Sequence, residues 1–388
     1  MEHTNNNFFE STQLFNNENS LNRDLRHDGL KNFNNKIYYS KYKLSSINRL
    51  LQNGEITEAL SLAEQELKKD NNNSNLYNAI GAILYNNNQK EEAEKKFQKA
   101  LILDNKNAHA FSNIGKIYLD KQDIISALKC FKRAFSLDTK SKVFFTNLNN
   151  LLLEFCSKDF NDLFLESYEL IMSDKLYQNE IAILSLQKLS LNFLMLNPYF
   201  KEINLHIDNK FKINNNFNKN LLNFSKIKLV NLCLDNYLIT DLKIERFIQK
   251  LREYLLINRD KIQPKVEINK LLQSIALQNN LNEYILHENE NETYSIEILE
   301  YEIKNKMAKK PSANFIDLLL LGCYRDLKNY KWINKVNFPF DYSLLKERLI
   351  THPAIENKLK KNIVRLGPIE NHISHLVKSQ YEVNPYPK

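Results

Sequence analysis

Residues 74–106 read "SNLYNAIGAILYNNNQKEEAEKKFQKALILDNK", and residues 108–140 read "AHAFSNIGKIYLDKQDIISALKCFKRAFSLDTK". At an offset of 34 residues Tyr77 falls on Phe111, Ile80 on Ile114, Gly81 on Gly115, Ala93 on Ala127, Phe97 on Phe131 and Ala100 on Ala134. The pair Leu103-Asp104 recurs as Leu137-Asp138. Each copy reads as two helices joined by a short turn. Where two antiparallel helices cross closely, small residues leave room and aromatics fill the flanks. Gly81 and Ala93 suit the crossing; Tyr77 and Phe97 suit the filling. One such pair buries only part of its apolar surface, so neighbouring repeats must stack to bury the rest.

This spacing is similar to the tetratricopeptide pattern W-x2-L-G-x2-Y…A-x3-F, with aromatic substitutions at its first position. The array extends weakly both ways. Upstream, Ala59 lies 34 residues before Ala93, but Ile47 stands where glycine is expected. Downstream, Phe145 and Leu148 keep the period, while Asn149 replaces the glycine and Asn161 the alanine. The expectation is two good repeats, a degenerate leading one and a trailing half-repeat. Positions on the inner groove of such an array are Asn75, Asn78, Tyr85, His109, Ser112, Asn113, Lys116 and Asn147. They make a polar, hydrogen-bonding surface with one clear charge, able to hold a peptide or a protein partner. Asn113 and Asn147, 34 apart, are placed to bond an extended peptide backbone.

Beyond about residue 160 the period disappears, yet apolar residues still recur at three- and four-residue steps. In "LKIERFIQKLREYLL" the stripe is Ile244, Phe247, Ile248, Leu251, Tyr254 and Leu255, with Asp241 placed to cap its start. The segment Pro198–Asn220 reads as a long connection. The fold class is therefore all-α: a tetratricopeptide α-solenoid followed by an irregular helical domain. The expected organisation is an Asn-rich, disordered stretch over 1–35, repeats over 36–160, a helical accessory domain over 161–380 and an extended Pro/Tyr tail over 381–388.

Composition narrows the function classes. Six glycines in 388 residues, no two within three residues of each other, exclude a glycine-rich phosphate loop. The stretch "LLLLGCYRD" reads as a buried helix, not a cofactor loop. The net charge of +8 is spread among mixed charges, which argues against nucleic acid as a partner. Four scattered cysteines with no paired spacing suit reduced thiols in a cytoplasmic protein. The best apolar run, residues 315–324, is about half of the ~20 residues a membrane span needs. His372 and His375 lie one helical turn apart, but two ligands do not make a metal site.

The chain's last stretch, "LVKSQYEVNPYPK" (376–388), carries a more specific signal. It is similar to a segment close to "VRxQYEENPYPRW" that stands just before the catalytic domain in certain bacterial proteins. Those proteins join N-terminal tetratricopeptide repeats, a helical middle region and a class I S-adenosylmethionine-dependent methyltransferase domain. Residues 352–374, 232–256 and 276–286 are also similar in layout. Here Val383 replaces a glutamate, Lys388 replaces an arginine, and the tryptophan is missing. The tail positions carrying the resemblance are Gln380, Tyr381, Asn384, Pro385, Tyr386 and Pro387. The catalytic domain would lie beyond residue 388, so no catalytic or cofactor-binding residue carries over. The resemblance implies a non-catalytic binding half. S-adenosylmethionine is expected only in a missing or separate domain, and a methyltransferase domain or its protein substrate is the expected partner. Two other readings stay open at this point. One is a scaffold associated with protein glycosylation, prompted by Asn113 and Asn147. The other is a helical enzyme with an unfamiliar site, which would need a pocket lined by several acids or histidines after residue 160.

Overall fold

A computed structural model describes residues 43–360, apart from 156, 175, 178–180, 211, 237, 264 and 310–313. The tail residues singled out above, together with His372, His375 and the Asn-rich N-terminus, lie outside the described residues. All regular structure among the described residues is helical. The chain divides into two compact units: Met1–Ser157 with Asn161–Leu186, and Lys158–Phe160 with Gln187–Lys388.

The first unit is built of helical hairpins. They comprise α1 (residues 43–52), α2 (Ile56–Lys69), α3 (Ser74–Asn86), α4 (Lys90–Leu103), α5 (Ala108–Asp120), α6 (Ile124–Leu137), α7 (Lys142–Glu154) and α8 (Asp162–Met172). The glycines sit where the repeat needs them. A Cβ on Gly81 would meet Phe97 Cε1 at 2.6 Å, and one on Gly115 would meet Phe131 Cε1 at 2.6 Å. Both rings are buried, so glycine is what lets α3 lie on α4 and α5 on α6. The leading repeat solves the same problem the other way round. Ile47 fills the glycine position and Ala63 the aromatic one; both are fully buried in one core cluster.

The turn inside each repeat also obeys the period. Gly54, Asn88 and Gln122 have φ of 80°, 62° and 60° and are spaced 34 residues apart. At Asn88 the amide donates to the Tyr85 carbonyl (3.0 Å) and the Gln89 amide to the Leu84 carbonyl (2.9 Å). At Gln122 the same two bonds run to Leu119 and Tyr118, at 2.9 Å each. This is the Schellman geometry, which closes a helix with one left-handed residue.

The trailing part is more than the half-repeat expected. Asn161, which stands where the alanine should be, does not pack at a helix crossing. It caps α8, accepting from the Phe164 amide at 3.1 Å. The second helix therefore exists but starts later than the period would put it. Phe164, Tyr168 and Ile171 are its buried side. Asn149 occupies the glycine position inside the core, with its Oδ1 lacking a hydrogen-bond partner.

The second unit takes in α9 (Ile181–Leu194) from Gln187 onward, then α10 (Pro198–Asp208), α11 (Asn215–Ser225), α12 (Lys228–Asn236), α13 (Leu242–Ile257), α14 (Val266–Leu281), α15 (Glu290–Lys309) and α16 (Phe315–Gly322). It closes with α17 (Ser343–Lys346), a π turn (Glu347–Thr351) and α18 (His352–Lys360). The expected connection over Pro198–Asn220 is instead α10 and the first half of α11. Asn197 accepts from the Tyr199 and Phe200 amides (2.8 and 3.1 Å), and Pro198 at the first helical position has no amide to strand. Phe200, Ile203 and Ile207 then bury one stripe. Asp241 caps α13 through the Lys243 and Ile244 amides. Residues Phe315–Gly322 form a short buried helix. Cys130, Cys233 and Cys323 are free thiols.

Candidate peptide-binding face

The first helices of successive repeats, α3, α5 and α7, share one face, and the eight inner-groove residues of the sequence analysis lie on them. Their side chains bond across neighbouring helices. Asn113 Nδ2 donates to Asn78 Oδ1 (3.0 Å), and Asn147 Nδ2 donates to Ser112 Oγ (2.9 Å). Both pairs are 35 residues apart. The carboxamides of Asn113 and Asn147 thus each commit one N–H to a seam between repeats. Asn75 Oδ1 accepts from Asn107 Nδ2 (3.2 Å), which also donates to Ser74 Oγ (2.7 Å). The same Asn107 caps α5 through the Ala110 amide (3.0 Å).

At the other end of α3, Tyr85 donates its hydroxyl to Asp120 Oδ2 (2.8 Å), again at a spacing of 35. Lys90 Nζ reaches the same carboxylate oxygen at 2.7 Å and lies 5.8 Å from the centre of the Tyr85 ring. Partial burial, reinforced by this acceptor, raises the Tyr85 pKa. Asp120 and Asn107 are the members of this face that sequence reasoning missed. Their signal was available as a polar partner 35 residues after Tyr85 and 32 residues after Asn75.

The two titratable groups between these bonds are His109 and Lys116. The His109 ring sits edge-on to Phe144 with centroids 5.1 Å apart. Much of its area still meets water, but the protein crowded around the imidazole disfavours its charged form. Lys116 adds repulsion and Asp138 opposes it, and the net result is a pKa below the usual value. Burial pushes the Lys116 ammonium down to about 8. At neutral pH the face thus presents a mostly protonated, poorly hydrated lysine amid carboxamides and a hydroxyl. Such a set can hydrogen-bond a peptide backbone and favours a nearby negative charge.

The second unit offers a different interior. A small cavity there, about 30 Å³, is lined among the described residues by apolar side chains, Phe200, Phe224, Val230, Phe247 and Ile275 included, which cannot move a proton. The polar groups of this unit are packed elsewhere. Arg252 and Glu292 are each 1% exposed, with Nη2 to Oε1 at 3.3 Å. Arg252 also donates to Asn279 Oδ1 (3.2 Å) and the His287 carbonyl (3.1 Å), and its guanidinium lies 4.1 Å from the Tyr324 ring centre. Tyr324 donates to Glu292 Oε1 (2.7 Å). Asn289 and Glu292 form a reciprocal capping box at the start of α15, with both bonds at 3.0 Å. No group of three or more His, Cys, Asp or Glu able to hold a metal ion occurs among the described residues. No helix among them is long and apolar enough to cross a membrane.

Comparisons with known proteins agree with the repeat. Tetratricopeptide repeat profiles match residues 74–107 and 108–141. No curated protein matches the chain. Among solved structures, one from the functional characterization of Pseudomonas aeruginosa pilF shares 13% identity at a TM-score of 0.29. It covers 72% of this chain and 95% of that one. Another, of Naa15/Naa10 bound to HypK-THB, shares 17% identity at a TM-score of 0.32 and also covers 72% of this chain. This chain spans only 44% of that relative. Likenesses this low carry nothing further over.

Proposed function

We propose that the face of α3, α5 and α7 holds an extended segment of a partner protein. The chain carries tetratricopeptide repeats, a protein-interaction scaffold, followed by further helices. The observation that carries this reading is the carboxamide seam. Asn78–Asn113 and Ser112–Asn147 bonds hold polar side chains in fixed positions around Lys116, so a ligand would meet a preorganised surface. A displayed library of short peptides panned against the full chain tests it. Selected peptides should lose at least tenfold affinity for Lys116→Glu and none for Ile102→Ala, an exposed position on α4. Equal loss at both positions, or at neither, would remove the assignment.

The finer reading, that the partner is a methyltransferase domain or its substrate, is supported only by the resemblance of residues 376–388 and of the layout of 352–374, 232–256 and 276–286. With it goes the proposal that this chain by itself does not bind S-adenosylmethionine. Calorimetry showing a stoichiometric micromolar complex would overturn that.

A further inference from the structure

The second unit has a groove of about 340 Å³, a volume at the lower end of ligand-sized pockets. One wall is a 3-10 turn (Lys331–Lys335) and the chain that follows it, carrying Ile333, Val336 and Phe338. That wall is buttressed from behind. Phe338 meets Phe315 edge-on at 5.9 Å, Phe315 stacks on Tyr342 at 4.6 Å, and the Tyr342 hydroxyl accepts from Asn269 (3.0 Å). The other wall is the helical stretch through α17, the π turn and α18. On it Lys346, Ile350, Ala354 and Lys358 recur every four residues and all line the groove. The ridge is thus apolar in its middle and cationic at both ends. No acid among the described residues lines the groove.

The π turn shapes this wall. It contributes Ile350, and Arg348 within it donates to the Asp235 carbonyl, tying the turn to α12. Single π turns inside helices recur at functional sites. The two lysines stand roughly 17–18 Å apart along the helix axis, from 1.5 Å per residue. An extended chain spans that with about five to six residues at ~3.3 Å each. A phosphate is a poor match, because no arginine fork among the described residues lines the groove and the lysines act as separate point charges. A fatty acid would satisfy only one of them.

We propose that this groove binds a short peptide segment, apolar in its middle and acidic at both ends. The site lies in the second unit and does not depend on the repeat face binding anything.

The probe is the fluorescein-labelled peptide Glu-Leu-Ala-Phe-Ala-Leu-Glu, blocked at its C-terminus, titrated with the full chain by anisotropy at 0.1 M salt. Saturable binding is expected. The Lys346→Glu/Lys358→Glu double variant should lose at least tenfold affinity and should regain it for the same peptide with lysines at its ends. Ala354 is exposed, so Ala354→Tyr should block the groove to both peptides with the helical circular dichroism unchanged. No saturable binding overturns the proposal, as does charge-reversed protein that still prefers the acidic peptide. Decanoate binding without peptide binding also overturns it and makes the groove a fatty-acid site.

Discussion

The leading repeat suggests an exchange of sizes that the second repeat should tolerate. Gly81 and Phe97 fit because a Cβ at 81 would stand 2.6 and 2.7 Å from two atoms of the Phe97 ring. Phe97 is 1% exposed, so it has nowhere to swing. Gly81→Ile alone therefore overpacks the crossing, at a cost of about 2 kcal/mol or more. Phe97→Ala alone leaves a cavity, at a cost of about 3–5 kcal/mol. The double variant reproduces the Ile47/Ala63 arrangement. The isoleucine then fills space the ring has left, and α3 gains up to about 0.5 kcal/mol from losing a glycine. Independent effects would sum to at least about 5 kcal/mol; the double variant should lose only about 1–2. That is a coupling of about 3 kcal/mol, the upper end for residues in contact. Trp332, the chain's single tryptophan, lies in the other unit, so its fluorescence does not report on this repeat. Amide hydrogen exchange over residues 74–103 reads the local opening free energy instead. A double variant no more protected than Phe97→Ala would show that the two positions are not exchanging volume, and the steric account of the glycine would fall.

Left-handed strain gives a second test. Gln122→Gly should stabilise the first unit by up to about 1 kcal/mol and Asn88→Gly by less, since asparagine tolerates this conformation better. Thermal melts followed by circular dichroism should rank the two that way. Asn149→Ala should also stabilise, by about 1 kcal/mol, because the buried Oδ1 it removes has no partner; a loss of stability in urea would show that this oxygen is satisfied. In the second unit, Glu292→Ala should cost about 3–5 kcal/mol by leaving Arg252 buried and uncompensated, while Arg252→Met/Glu292→Leu should cost much less. Lys116 sets a pH dependence. Its folded pKa is about 8 against an ordinary 10.5, so between those values the unfolded chain holds a proton that the folded chain has released. Its contribution to stability therefore rises with pH across that window. Wild type minus Lys116→Met, by denaturation at pH 8 and 9.5, should show the rise; a flat difference would mean the ammonium is well hydrated.

The parts of this molecule that sequence made legible are those where a residue has one physical use. Glycine at a fixed offset from an aromatic serves a close helix crossing, and Gly81/Phe97 and Gly115/Phe131 meet as that pattern demands. Asparagine has several uses, and spacing alone does not say which one applies. In the structure it starts helices: Asn73, Asn107, Asn161, Asn197, Asn214, Asn289 and Asn314 each accept from an amide two or three residues on. Such caps start α10 and α11 within the stretch expected to be a connection, and start α8 after Asn161. A carboxamide oxygen reaching the orphan amides of a first turn is worth about 1 kcal/mol over alanine, enough to decide a boundary. The same ambiguity governs the repeat face. Asn113 and Asn147, 34 residues apart, hold equivalent positions in successive repeats, and each bonds a residue 35 positions earlier, on the first helix of the preceding repeat. An offset of one full repeat marks equivalent positions; an offset of one repeat plus one residue marks neighbours across the seam. Tyr85 and Asp120 obey the second rule as well. In a stacked array, then, polar pairs at the period plus one belong to the scaffold. The residues to mutate for binding are those, like Lys116, that such pairs surround.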